Sequence, residues 1–235
     1  MRSSTWFRGE IIQVLFTRKN SCRLLILLLS IDAAFIAIDI IRRCTPYFQS
    51  SLWSLEKDLG YPEIFQYVKF FFMCILLLDT AKIRHKLGYV AWAVLFFYFL
   101  LDDALKVHER LGGRLGFSHP FLQSLGYRPL DVGELIVSAG VGLGLMGLLV
   151  FFYLRGDQAF RKTSKDLVLL VGILAFFGVV VDMAKKPLEH LANHLGLDNI
   201  YWLVEGVIED GGESLAASLL LWYAFSLPGV GKNKP

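Results

Sequence analysis

Cysteine and charge are both scarce in this sequence, and each shortage excludes a class of protein. The three cysteines are Cys22 before the first apolar run, Cys44 after it and Cys74 inside the second, so no internal disulfide framework is available. Charged residues make up 19% of the chain and hydrophobic residues 55%, a balance outside the usual range of soluble domains. A basic stripe is also missing, which argues against a nucleic-acid surface.

Six apolar runs dominate the chain, and each has roughly the length needed to cross a hydrocarbon core about 30 Å thick. The mean hydropathy is +0.52. We predict an all-α, polytopic membrane protein whose six transmembrane helices form three antiparallel hairpins. The spans lie at about 24–41, 64–81, 88–105, 132–154, 167–184 and 203–226. A basic, amphipathic cytoplasmic segment (1–23) precedes one transmembrane domain (24–226, with hairpins 24–81, 88–154 and 167–226) and a cytoplasmic tail (227–235).

Lysine and arginine concentrate in the chain ends and in alternate loops, and this distribution predicts the orientation. We expect a multi-pass protein of the cell inner (plasma) membrane with both termini in the cytoplasm. The first apolar run contains Asp32 and Asp39, and no small-residue cleavage site follows it. We therefore interpret this run as a retained helix rather than a secretory signal.

One acidic pattern occurs twice, each time where an apolar run ends. LDDALKVHERLGGRLG (101–116) aligns with VDMAKKPLEHLANHLG (181–196), which matches Asp102 with Asp182. The motifs DVGE and DGGE then open the next apolar run in each copy. We interpret this as a duplicated helical hairpin whose ionisable residues gather at one end, and we place the functional site there.

The ionisable residues near these run ends are of types that bind cations. Asp102 and Glu109 are seven positions apart, so on a continuous helix they share a face, beside His108. HLANH holds two histidines one turn apart, and EGVIEDGGE holds three glutamates at intervals of four. Three like charges on one face require cations beside them or raised pKa values. We predict a polar cavity, open to the outside, that binds a divalent ion (Zn, Fe, Mn or Ca) or shared protons. Its residues are Asp102, His108, Glu109, Asp182, Glu189, His190, His194, Glu205, Glu209 and Glu213.

Two further features concern helix packing. Lys69 falls within the second run, and a buried lysine needs a carboxylate partner, for which Asp32 and Asp39 of the first run are the nearest candidates. Gly140 and Gly144 form a GxxxG motif, which permits close helix contact in a membrane.

Two of these motifs resemble those of a known group of proteins. DDALKVHE has the spacing of a D-[DE]-x4-H-E signature, and EDGGE is similar to an E-[ED]-x2-E element, both found in an uncharacterised family of bacterial multi-pass membrane proteins. The resemblance implies a six-helix fold and no particular activity. It implies as family positions Asp102, Asp103, His108, Glu109, Glu209, Asp210 and Glu213. A looser similarity links the His and Asp content to membrane-embedded metal hydrolases of the alkaline-ceramidase and adiponectin-receptor kind, whose seven helices and set Ser and His positions this sequence does not match.

Three functions fit these residues. A transporter or channel for ions or protons would use the carboxylates as transient sites. A metal-dependent hydrolase acting on a lipid-like substrate would use the ion to activate water. An accessory subunit of a larger membrane complex would use the same residues as interhelical pairs. The expected partners are the lipid bilayer and either a second copy of the chain or a larger complex, and no nucleic acid.

Overall fold

The computed structural model describes residues 18–115, 123, 128–185, 188, 194 and 203–227. Within these residues every regular element is helical, which confirms the all-α prediction. The described α-helices are α1 (Arg18–Cys44), α2 (Tyr61–Arg84), α3 (Gly88–Leu105), α4 (Val107–Leu115), α5 (Pro129–Arg155), α6 (Gln158–Ala175) and α7 (Gly211–Ser226). A 3-10 turn (Ser51–Trp53) precedes α2, and π-helical segments continue α6 (Phe176–Val181) and precede α7 (Leu203–Asp210).

Five of the described helices are long and apolar enough to cross a membrane. They are α1 from Asn20 onward, α2, α3, α5, and α6 together with its continuation to Lys185. The chain is therefore a membrane protein. The remaining long apolar run contains α7, which has only 16 residues and follows a π-helical segment, and it is not one of the five. The arrangement of six spans in three hairpins, the internal repeat and the orientation stay predictions.

Local sequence explains where α2 begins and ends. Pro62 and Glu63 occupy the first turn of α2, where a missing N–H is harmless and a negative charge complements the helix dipole. His85 then ends α2 in the left-handed conformation, with φ 52°. The next helix begins at Gly88, so α2 and α3 form a tightly connected pair that packs along its length.

The last helix, α7, lies at the centre of the bundle. It packs against α1, α2 and α6, and most of its side chains are buried. Small residues at Ala216, Ala217 and Ser218 let the neighbouring helices approach closely, as membrane helix packing requires. The first turn of α7 is thereby held against α1, α2 and the end of α6.

A buried ion pair joins three helices of this core. Lys69 Nζ lies 2.7 Å from Asp32 Oδ1, and both side chains are fully buried. Lys69 also donates to the carbonyl and hydroxyl oxygens of Ser214, each at 2.8 Å, and Ser218 donates to the other oxygen of Asp32. The predicted pairing of Lys69 with an acidic residue of the first span is confirmed for Asp32, because Asp39 instead binds two arginines at the end of α1.

Helix α5 contacts α4 near its beginning, and Leu149 near its other end is buried in the apolar core. At the beginning of α5, Gly133 packs directly on the backbone of Gly112 in α4, so the two helix backbones are in contact. The predicted close contact at Gly140 and Gly144 does not occur within the described part of the chain, since a Cβ atom at either position would meet nothing within 4 Å. The glycine contact that α5 makes is therefore one turn after its start and not at the GxxxG motif.

Candidate functional site

A cavity of about 170 Å³ lies where α3 ends and where α2 and α7 begin. Its wall is formed by the loop before α2, the first turns of α2 and α7, and the junction between α3 and α4. Seven carboxylates face two lysines and one histidine, so the cavity has a large excess of acidic groups. These residues are Glu56, Asp58, Glu63, Asp103, Glu109, Asp210, Glu213, Lys57, Lys106 and His108.

The deeper part of the wall carries three carboxylates, from α3, from the end of the π-helical segment before α7 and from α7 itself. Glu213 Oε2 accepts a hydrogen bond from Gln66 Nε2 at 3.2 Å. Among the residues that the structure describes, the carboxylates of Asp103 and Asp210 have no hydrogen-bond or ion-pair partner. A Cβ atom on Gly178 would lie 2.5 Å from Glu213 Oε1, so the π-helical end of α6 passes close to this carboxylate, and a side chain there would displace it.

The junction between α3 and α4 is a sharp break. Lys106 adopts the left-handed conformation with φ 52°, and its N–H donates to the carbonyl of Asp102, which ends α3. The side chain of Asp102 then accepts the His108 N–H at 2.9 Å, which satisfies a free amide in the first turn of α4. The inference that Asp102 and Glu109 share one helical face is therefore wrong, because α3 and α4 are separate helices.

This break also places His108 beside a carboxylate. The imidazole Nδ1 lies 3.0 Å from Asp102 Oδ2, and His108 lines the cavity. The neighbouring Asp102 carboxylate raises the pKa of His108 because it stabilises the imidazolium form. A carboxylate beside a histidine increases the basicity of the ring, which favours accepting a proton from a group in the cavity.

Replacing Asp102 with asparagine should lower the pKa of His108 toward its ordinary value. The asparagine oxygen can still accept the His108 N–H, so the start of α4 is preserved while the charge that favours imidazolium is lost. Histidine ring NMR signals followed against pH measure the effect. The control is Asp157→Asn, which removes a carboxylate at the start of α6, outside the cavity wall. An unchanged His108 titration in Asp102→Asn would show that Asp102 is not the source of the shift.

Two other predicted carboxylates, Asp182 and Glu209, belong to a different cluster. Lys185 Nζ lies 2.9 Å from Asp182 Oδ1 and 2.7 Å from Glu209 Oε2. The expectation of one carboxylate per turn along span six fails here, because the π-helical segment Leu203–Asp210 has a wider turn than an α-helix. Glu209 consequently pairs with Lys185, whereas Glu213 faces the cavity.

The predicted site residues thus divide into groups. The structure brings His108, Glu109 and Glu213 together on the cavity wall and places Asp102 directly behind His108. Asp182 and Glu209 lie in the Lys185 cluster. Glu189, His190 and the side chain of Glu205 lie outside the described residues, and His194 is an exposed position within them.

Metal binding by these residues stays a prediction. Among the described residues, no three His, Cys, Asp or Glu side chains lie in a position to hold one metal ion together. The acidic side chains are spread around the cavity wall instead of converging on a single point.

Sequence reasoning missed the contribution of the first loop and of α2. Glu56, Asp58, Glu63 and Gln66 all line the cavity, although only hairpins two and three were expected to supply it. A usable signal was present, since Glu63 opens an apolar run just as the glutamates of DVGE and DGGE do. Asp103 and Asp210, which the resemblance alone had indicated, are also on the wall.

Comparison with known proteins identifies a family but no activity. The model of a domain of unknown function, DUF8692, matches residues 63–227, which is well over half of the chain. The chain belongs to the DUF8692 family. The DUF8692 match begins at Glu63, so α1 and the loop that carries Asp58 lie outside it.

No match was found among curated proteins or among solved structures. The match is consistent with the expected uncharacterised family, while the D-[DE]-x4-H-E signature and a bacterial source stay predictions.

Proposed function

We propose that this protein binds a hydrated divalent cation in the acidic cavity, which opens to the outer face of the membrane. The observation that carries the proposal is the pair of carboxylates, Asp103 and Asp210, which have no hydrogen-bond or ion-pair partner among the described residues and lie beside Glu213 in the deeper part of the wall. Like charges held close together in a partly buried cavity repel one another, and a cation between them removes that cost.

The chemistry of the wall favours a hard cation. Carboxylate oxygens suit Ca²⁺ and Mn²⁺, and one imidazole adds a ligand that Mn²⁺, Fe²⁺ and Zn²⁺ accept. The cavity has room for several water molecules at about 30 Å³ each. Because the carboxylates are dispersed, water would mediate most of their contacts with the ion, as is common for strongly hydrated cations.

The distribution of basic residues supports an outward-facing cavity. The opposite end of the bundle carries Lys82 and Arg84 in the last turn of α2, Lys86 just after it, and a second basic group around the α5–α6 turn. By the positive-inside rule that end is cytoplasmic, and the cavity then faces the cell exterior or periplasm. Inner-membrane location and cytoplasmic termini are part of the same proposal.

Ion or proton transport is the use of the cavity that we favour. Ser214 lies on the cavity wall and also accepts a hydrogen bond from Lys69. The series of polar contacts continues from there to Asp32 and then to Ser218, deeper in the bundle. This chain of polar groups leads inward from the cavity, and the residues one turn further along α2 and two residues further along α7, Met73 and Leu220, belong to the buried apolar core. A transport cycle would therefore require the apolar part to open, as alternating access does.

Hydrolysis of a lipid-like substrate is the second candidate, and the Asp102–His108 pair favours it. A histidine beside a carboxylate at the edge of a cation-binding cavity could accept a proton from water. Ca²⁺ uptake into proteoliposomes separates the two uses, because the hydrolase would bind the ion without moving it.

Replacing Glu213 with glutamine should weaken Ca²⁺ or Mn²⁺ binding about tenfold, because affinity for hard cations depends on the number of charged ligands. Titration calorimetry of the protein in lipid nanodiscs measures the affinity. The matched control is Asp157→Asn, which removes the same charge from the other end of the bundle and retains a residue that can cap α6. Equal affinity in wild type and Glu213→Gln, or no binding of either ion to wild type, would contradict the proposal.

A further inference from the structure

The ammonium group of Lys106 lies at the mouth of the acidic cavity and joins two parts of its wall. Its Nζ lies 2.6 Å from Asp58 Oδ2 in the first loop and 3.2 Å from Glu109 Oε1 in the first turn of α4. We call these three side chains the Lys106 bridge. Their exposed fractions are 35% for Lys106, 55% for Asp58 and 42% for Glu109, so the bridge lies between solvent and the deeper carboxylates.

The backbone conformation at Lys106 does not itself require a lysine. The residue has φ 52° and ψ 50°, a left-handed conformation that glycine adopts without the steric penalty paid by other residues. Glycine would therefore suit the turn between α3 and α4 better as a backbone. What glycine cannot supply is an ammonium group between Asp58 and Glu109.

We propose that Lys106 is a tethered counter-ion that closes the mouth of the cavity and that an incoming cation must displace. This inference rests on the cation-binding function proposed above. A tethered ammonium has a high local concentration, so it competes for Asp58 and Glu109 at every concentration of the external ion. The apparent affinity for that ion is therefore the intrinsic affinity multiplied by the fraction of molecules in which the bridge is open.

The Lys106 bridge also gives the cavity a means of selecting among cations. A monovalent ion that displaces the ammonium replaces one positive charge with another, so it gains little attraction from the wall. A divalent ion brings two charges and interacts more strongly with the same carboxylates. The bridge is thus expected to exclude Na⁺ more effectively than Ca²⁺.

Replacing Lys106 with methionine should lower the apparent Kd for Ca²⁺ about fivefold, the effect expected when one or two exposed ion pairs no longer compete. Na⁺ should also compete with Ca²⁺ more effectively in this variant. Titration calorimetry of the full chain in nanodiscs, with Ca²⁺ in the presence and absence of Na⁺, measures both effects. Lys106→Gly should behave in the same way, and its relaxed backbone keeps the test valid if the methionine variant folds poorly.

Lys57 provides the matched control because it lines the same cavity and has no ion pair among the described residues. Lys57→Met removes the same charge and should tighten Ca²⁺ binding by less than half as much. Equal tightening in the two variants would overturn the inference, since loss of charge alone would then explain it. Unchanged binding in Lys106→Met would overturn it while leaving the cation-binding function intact. Absence of Ca²⁺ binding in wild type and all variants would overturn both.

Discussion

Replacing Lys69 with methionine should lower the free energy of unfolding by about 3–5 kcal/mol, the usual cost of removing one partner of a buried ion pair. Asp32 would keep its charge in the bundle interior, where it is 1% exposed, and would lose the ammonium 2.7 Å away. The hydroxyls of Ser214 and Ser218 would remain as donors but offset the charge only in part. Denaturant unfolding in bicelles, followed by circular dichroism, measures the loss.

Two further variants make this test specific. Asp32→Asn combined with Lys69→Met should recover most of the lost stability, because neither charge is then left alone in the interior. Lys86→Met breaks the exposed pair between Lys86 and Asp157 and should cost at most about 1 kcal/mol. If Lys69→Met costs no more than Lys86→Met, the buried pair does not join the helices of the core as described.

Replacing Gly133 with alanine should lower the free energy of unfolding by about 1–3 kcal/mol, as overpacking of a close contact does. A Cβ atom at this position would overlap the carbonyl of Gly112, and a backbone group cannot rotate away as a side chain could. Helix α4 would have to shift from α5, which would also move His108 and Glu109 on the cavity wall. The unfolding experiment described for Lys69 measures the stability change.

The control for Gly133 is another glycine of the same helix. Gly144→Ala adds the same methyl group where nothing lies within 4 Å, so stability should be unchanged or slightly raised. A loss of stability at Gly144 equal to that at Gly133 would mean that the Gly112 contact is not the cause. It would also indicate that the open face of α5 is covered by another molecule.

Much of the fold could be predicted because its determinants are local. Apolar runs of membrane-spanning length predicted the helices, five of which meet the criteria for spans. The cost of a buried charge predicted a carboxylate partner for Lys69, although the sequence left Asp32 and Asp39 as equal candidates. The break at Lys106 could not be predicted, because Asp102 to Glu109 contains neither proline nor glycine and the break depends on the contact between Asp102 and His108.

The sequence by itself determined the helical class, the apolar spans and the concentration of ionisable residues near the ends of those spans, since composition and periodicity decide these properties. Only the tertiary structure decided how those residues are sorted. It placed Glu213 on the cavity wall and Glu209 beside Lys185, and it added Gln66, which contacts Glu213 across 147 positions. The physical reason is that a carboxylate is neutralised by whichever cation or donor lies within a few ångströms, and helix packing alone sets those distances between remote segments.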